Sequence, residues 1–221
     1  MEIEGVAVDI DGTITDKKRS LNCRAVEALR RLKVPVVLAT GNMPCFARTA
    51  AKLIGVSDTV ICENGGVVRF EYDGDDVVLG DKEKCYRALE VIRSRYEVEL
   101  LDDAFRKSEI CLRRTFPREE AERMVEGMGV RILDSGFAYH IVDAEVSKGK
   151  ALRYVADHLG LDVGKFVAIG DSHNDIDMLE VAGIGVAVAN ADVELKRVAD
   201  IVTSKPNGDG VVEALEFLGL I

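Results

Sequence analysis

The fold this sequence predicts is a doubly wound (Rossmann-like) parallel α/β sheet core, interrupted by a small inserted α+β cap domain. Three observations predict it. Short runs of consecutive apolar residues recur between segments of helical period, as expected of strands buried on both faces. Three of those runs end in a reactive polar residue: Asp9, Thr40 and Asp171. The alternation breaks off near Asp81 and resumes at Ser147, so residues 81–146 read as an insertion in a core of residues 1–80 and 147–221. A chain of 221 residues is long enough for both parts.

The elements follow in order. After the first apolar run, Val26, Leu29 and Leu32 share one helical face between Asn22 and Lys33, with Ser20 or Asn22 as the cap. Val34–Ala39 is a second buried run. Pro44 opens the next helix and Gly55 closes it, the usual asymmetry of those two residues. Thr59–Cys62 is a third strand, followed by the turn signal Glu63-Asn64-Gly65-Gly66.

Within the insertion, Lys82–Arg95 is an amphipathic helix and Glu109–Thr115 a half-exposed strand. Arg118–Met128 is a second helix stopped by Gly129, its methionines belonging to the core, and strands follow around Val130–Leu133 and Ala138–Val142. From Ser147 the core resumes: a helix ended by Gly160, the strand Phe166–Gly170, and a helix through Leu179. A strand at Gly185–Ala189, a short helix near Leu195, a strand at Asp200–Thr203 and a helix from Gly210 complete it.

Composition narrows the function. A formal net charge of −10 disfavours nucleic acid and anionic membrane surfaces as partners. It also repels small anions, so any phosphate site must be positive locally. Five cysteines stand singly, without a Cys-x-x-Cys pair, which fits reduced thiols in a cytoplasm. No secretion signal or membrane-length apolar run is evident. Many Arg, Lys and Glu residues and no glutamine lean towards a thermophilic source.

The densest chemistry lies at Val6-Ala7-Val8-Asp9-Ile10-Asp11-Gly12-Thr13. Two carboxylates at the end of a buried strand repel each other and lose hydration, and a hard divalent cation is the natural compensation. The same residues could equally open a turn at Asp11-Gly12. Gly170-Asp171-Ser172-His173-Asn174-Asp175 brings further acids to another strand end, although Asn174 and Asp175 could also cap the next helix. Parallel strands carry their carboxyl ends to one edge, so Asp9, Thr40 and Asp171 should converge there. Lys148 stands near a helix start, where a cation is unfavourable unless acids or a phosphate face it.

In this order, Asp9-Ile10-Asp11-Gly12-Thr13, Thr40-Gly41-Asn42, Lys148 and Gly170–Asp175 resemble the motifs of the haloacid dehalogenase superfamily of aspartate-nucleophile phosphatases. Together they cover the core; the first and last are specific, and the other two gain weight from their register. An insertion between Thr40 and Lys148, with Asn64-Gly65 inside that interval, is similar to the Cof-type subgroup. The short cap and overall length look most like archaeal phosphoglycolate phosphatases. The resemblance implies a cytoplasmic, Mg²⁺-dependent phosphatase of a small phosphorylated metabolite, 2-phosphoglycolate first, working as a monomer or homodimer.

By the same resemblance Asp9 is the nucleophile and Asp11 the general acid and base. Thr40, Gly41, Asn42, Lys148 and Asn174 bind phosphate or substrate. Magnesium is held by Asp9, Asp11 (through its backbone), Asp171 and Asp175. A sugar-phosphate phosphatase or phosphosugar mutase is the alternative, because specificity lies in the cap. From another class, a phospho-accepting receiver domain shares acids, a threonine and a lysine, but it accounts for neither Asp11 nor the insertion. Arg113 and Arg114 are adjacent, so on a strand one of them would meet a substrate carboxylate. His140, on a cap strand, could face the substrate, though packing is the preferred reading; His173 is read as surface or as backing the site.

Overall fold

The computed structural model describes residues 2–221. The core begins with β1 (Gly5–Asp9), α1 (Cys23–Arg31), β2 (Val36–Ala39), α2 (Pro44–Ile54) and β3 (Val60–Cys62). Every residue of these three strands is buried, which is why their sequences are apolar up to the Asp9 that ends β1. Asn22 starts α1 by accepting hydrogen bonds from the backbone N–H groups of Arg24 and Ala25, two donors the helix cannot satisfy itself. Gly55 closes α2 in the left-handed region, at φ 80°.

The chain continues through β4 (Val67–Arg69), β5 (Val77–Val78), α3 (Lys82–Arg93), β6 (Ile110–Leu112), α4 (Arg118–Met124), β7 (Val130–Asp134) and β8 (Tyr139–Asp143). It ends with α5 (Lys148–Leu159), β9 (Phe166–Gly170), α6 (Ile176–Val181), β10 (Ile184–Ala187), α7 (Val193–Val198), β11 (Ile201–Val202) and α8 (Asn207–Phe217). The larger sheet has the order β11-β10-β9-β1-β2-β3-β4-β5. Pairing is parallel from β11 to β3 and antiparallel for β3–β4 and β4–β5. The wholly parallel sheet expected from sequence is therefore corrected at one edge. Neither β4 nor β5 is expected from sequence.

Side-chain alternation splits the core into two layers. Val6, Val8 and Leu38 face one way, with Leu29 of α1 and Leu215 of α8. Ala7, Val37 and Ala168 face the other, with Leu152 and Val155 of α5. From β1 the winding runs outward through β2 and β3, and in the opposite direction through β9, β10 and β11. Ligands of such sheets bind at that reversal, beyond the carboxyl ends of the strands. Asp9 pairs with Ala39 and Val8 with Ile169, so Thr40 and Asp171 follow at the same edge.

A separate three-stranded antiparallel sheet, β6-β8-β7, carries α3 and α4. Its apolar cluster draws its buried members from residues 85–141, including Leu89, Ile92, Leu112 and Ile141. Three expectations are corrected here and at the C-terminus. The strand expected over Glu109–Thr115 spans Ile110–Leu112 and is buried, not half-exposed. The helix expected to Met128 stops at Met124, with Gly127 and Gly129 both at positive φ. The last helix starts at Asn207, not Gly210.

Candidate active site

The expected residues meet at the carboxyl edge of the larger sheet. Asp9 ends β1, Thr40 follows β2, Asp171 follows β9, and Lys148 is the first residue of α5. Lys148 Nζ lies 2.7 Å from Asp9 Oδ1 and 2.6 Å from Asp175 Oδ1, with its side chain 0% exposed. The other oxygen of Asp175 accepts from the backbone N–H groups of Asp171 and Ser172 at 3.2 and 3.1 Å. The acid thus anchors the turn after β9 as well as the lysine. Ser147 caps α5 by accepting from the N–H of Lys150, which sets where the Lys148 stem leaves the helix.

Close approach at this edge depends on glycine. Gly12 has φ 89°, and a Cβ there would fall 2.2 Å from Asp171 Oδ2. The left-handed backbone and the missing side chain let the loop after β1 lie against the carboxylate. Asn190 and Asn207 donate to the Gly12 carbonyl at 3.0 and 2.6 Å, and Thr13 Oγ1 donates to Asp171 Oδ1 at 3.3 Å.

The electrostatics are unbalanced. Asp9, Asp171 and Asp175 can each place a carboxylate oxygen within 4.8 Å of the others. Burial raises the Asp9 carboxyl to about 7, against the pull of Lys148 and helped by repulsion from Asp175. Burial, then Asp9 and Asp175, raise Asp171 to about 8. Burial pulls the Lys148 ammonium down, but Asp175 and Asp9 outweigh it and hold its pKa above the ordinary value. Asp9 Oδ2 is buried with no hydrogen-bond partner. An orphaned anionic oxygen between two further acids is the donor set a hard divalent cation completes.

A cleft of about 170 Å³ opens at Asp9, lined in part by Asp9, Asp11, Arg19, Arg106, His140 and Asn174. Asp11 Oδ2 accepts from Asn42 Nδ2 at 2.6 Å. Thr40 Oγ1 accepts from the Asn42 backbone and side chain at 3.0 and 3.2 Å. Gly41 lines the cleft as well. Asn174 donates to Asn64 Oδ1 at 2.9 Å and accepts from Ser172 Oγ at 2.5 Å, so its amide is held at the cleft wall.

The two arginines weighed from sequence are elsewhere. Arg113 pairs with Glu99 at 2.6 Å, and Arg114 with Asp134 at 2.9 Å. The strand ends at Leu112, so strand alternation does not reach them, and neither lines the cleft. His140 is more than packing: it lines the cleft, with Nδ1 2.7 Å from Glu109 Oε1. His173 is exposed as expected. Sequence reasoning missed Arg106, Glu109, Asn190 and Asn207. Of the residues bridging the two sheets, His140 was weighed from sequence, and Asn64 carried a turn signal, an Asn-Gly pair whose asparagine adopts φ 55°.

The chain belongs to the haloacid dehalogenase-like hydrolases, whose family model matches residues 6–101 and 107–215. Membership settles the choice between hydrolase and receiver domain in favour of the hydrolase. Within that family, a protein of Archaeoglobus fulgidus named phosphoglycolate phosphatase is 68% identical over 218 residues, covering 99% of this chain and 98% of its own. A Methanosarcina acetivorans protein of the same name is 47% identical, covering 99% of this chain and 97% of its own. Among solved structures, a Thermoplasma acidophilum protein superimposes with a TM-score of 0.91 at 25% identity, covering 100% of both chains.

Proposed function

We propose that this chain is a Mg²⁺-dependent phosphatase that cleaves 2-phosphoglycolate to glycolate and phosphate through an aspartyl-phosphate at Asp9. The observation that carries this reading is a buried carboxylate at the floor of a small cleft, clamped on one oxygen by Lys148 and unpartnered on the other. The names of the archaeal relatives support the substrate. So does size: about 170 Å³ is well below the roughly 300–1,000 Å³ of pockets for drug-sized ligands and suits a substrate of few atoms.

Asp9 attacks phosphorus, and the bond to the glycolate oxygen breaks. Asp11, oriented by Asn42, gives its proton to that departing oxygen and then takes one from the water that attacks the aspartyl-phosphate, freeing phosphate and regenerating Asp9. Lys148, the Thr40 hydroxyl and neighbouring backbone N–H groups hold the phosphoryl oxygens as charge shifts onto them. Asp175 keeps Lys148 and the turn carrying Asp171 in position. Asp9, Asp171 and the Asp11 backbone would hold magnesium, whose chemistry is to offset the charge between carboxylate and phosphate. Asp175, expected as a further ligand, has both oxygens taken by Lys148 and the N–H groups of Asp171 and Ser172 and supports the site instead.

A substrate panel tests the reading. The purified chain should release phosphate from 2-phosphoglycolate with a kcat/KM about 100-fold above that for hexose phosphates. Equal or greater efficiency on a sugar phosphate would transfer the assignment to the alternative within the same family.

Magnesium is tested through stability and pH. With Asp9 raised to about 7 and Asp171 to about 8 from 3.8, the fold binds protons more readily than the unfolded chain. The metal-free protein therefore loses stability as pH rises from about 4 towards 8. Adding Mg²⁺ to chelator-treated protein should raise Tm by about 4 °C at pH 8 and by almost nothing at pH 5. Melts showing an equal gain at both pH values would contradict the assigned ligands.

Free thiols suit a cytoplasmic setting. Cys23 and Cys45 are exposed, Cys62, Cys85 and Cys111 are buried, and all are unpaired. Among the described residues no helix is long and apolar enough to cross a membrane.

A further inference from the structure

The cleft contains a cation that the reaction above does not use. Arg106 sits between α3 and β6, its side chain 4% exposed, and lines the same cleft as Asp9 and Asp11. Nη1 donates to the Gly41 carbonyl at 3.0 Å and to Glu109 Oε1. Glu109 is itself fixed, 2.7 Å from His140 Nδ1 and accepting from Asn64 Nδ2 at 2.8 Å. The guanidinium is thus held rigidly from one side, across the join between the two sheets.

Its other edge is free. Among the described residues, all the hydrogen bonds of the guanidinium leave from Nη1, and Nε is buried without a partner. A buried donor left without a partner is unfavourable, so its persistence beside a reaction site calls for an occupant. Nε and Nη2 together form the planar fork that matches a carboxylate with two parallel hydrogen bonds. The other cation at the cleft is already engaged: Arg19 lies 3.6 Å from Asp11 and 4.2 Å over the Phe137 ring. Asp9, Asp11 and Asp102 line the cleft too and would repel an anionic group that found no local positive partner.

We propose that Arg106 is the specificity residue that receives the substrate carboxylate on its free Nε–Nη2 edge, held in place by Glu109 and His140. The assignment rests on the reading that the substrate is a carboxylated phosphate monoester. It accounts for a buried guanidinium fastened at one nitrogen and without a protein partner at its Nε.

The test compares 2-phosphoglycolate with 2-hydroxyethyl phosphate, in which an alcohol replaces the carboxylate, for the parent, Arg106→Gln and Arg106→Lys. The parent should prefer the carboxylate by about 100-fold or more in kcat/KM. Arg106→Gln should lower that preference by about 100-fold, chiefly through KM, and Arg106→Lys by less, since it keeps the charge but not the fork. Should the glutamine variant fail to fold, the lysine variant decides. A parent that prefers the carboxylate beside folded variants that keep the preference overturns the assignment of Arg106 alone. A parent with no preference overturns the carboxylated substrate and this assignment together.

Discussion

Asp9→Asn should lower phosphate release by about 10⁴-fold or more, because an amide oxygen cannot open the covalent route and the remaining groups cannot replace it. Acid-quenched parent enzyme should carry a labile phosphoryl group on Asp9, and the variant none. Stability should move the opposite way. Burial and the neighbouring carboxylates destabilise an ionised Asp9, so at pH 8 the metal-free variant should melt at or above the parent. A site assembled for reaction holds charge at the expense of stability. Activity retained above a trace would remove Asp9 as the nucleophile.

Lys148→Met should damage both properties. Methionine keeps the apolar stem but leaves Asp9, Asp171 and Asp175 with no internal counter-ion. Breaking a buried ion pair from one side costs about 3–5 kcal/mol, or roughly 10 °C in Tm for a chain of this size. Loss of a positive donor to the transferring phosphoryl group should lower kcat by about 10²–10³-fold. Excess Mg²⁺ should recover part of the stability, through Asp9 and Asp171, and little of the rate, because it does not restore that donor. Paired melts and steady-state kinetics with and without Mg²⁺ separate the two effects. A variant as stable and as active as the parent would show that the ammonium is not the site's counter-ion.

Much of the site was legible because the chemistry sits at strand ends. Asp9, Thr40 and Asp171 each follow an apolar run, and parallel pairing carries such ends to one edge whatever the details of packing. Lys148 was legible as a violation: a cation opening α5 opposes the helix dipole, and Asp9 and Asp175 supply the compensation. The hairpin β4–β5 was not legible, because its short apolar pieces flank the polar, glycine-containing stretch 71–76 and fall outside the helix–strand alternation that marked β3 and β11. Nor were the ends of β6 and α4, where packing against the insertion's own apolar cluster decided the boundaries.

The error over Arg113 and Arg114 is the instructive one. Adjacent arginines near a strand suggested that one would face the substrate, yet both lie past Leu112, paired with surface acids. Arg106 carried no local signal at all. Its place depends on Gly41 and on Glu109, which is tied to Asn64 and His140, partners as far as 65 residues away.

By itself, the order of residues determined the doubly wound core, its interruption, and the identity of the acids and lysine where the winding reverses. Those follow from local period and from the direction of parallel strands, both written in short stretches of chain. Only the tertiary structure decided which oxygen of Asp9 lies unpartnered, that both oxygens of Asp175 are occupied, and that Arg106 is the arginine reaching the cleft. Contacts between distant segments obey no sequence period, because they are set by which surfaces the two sheets press together.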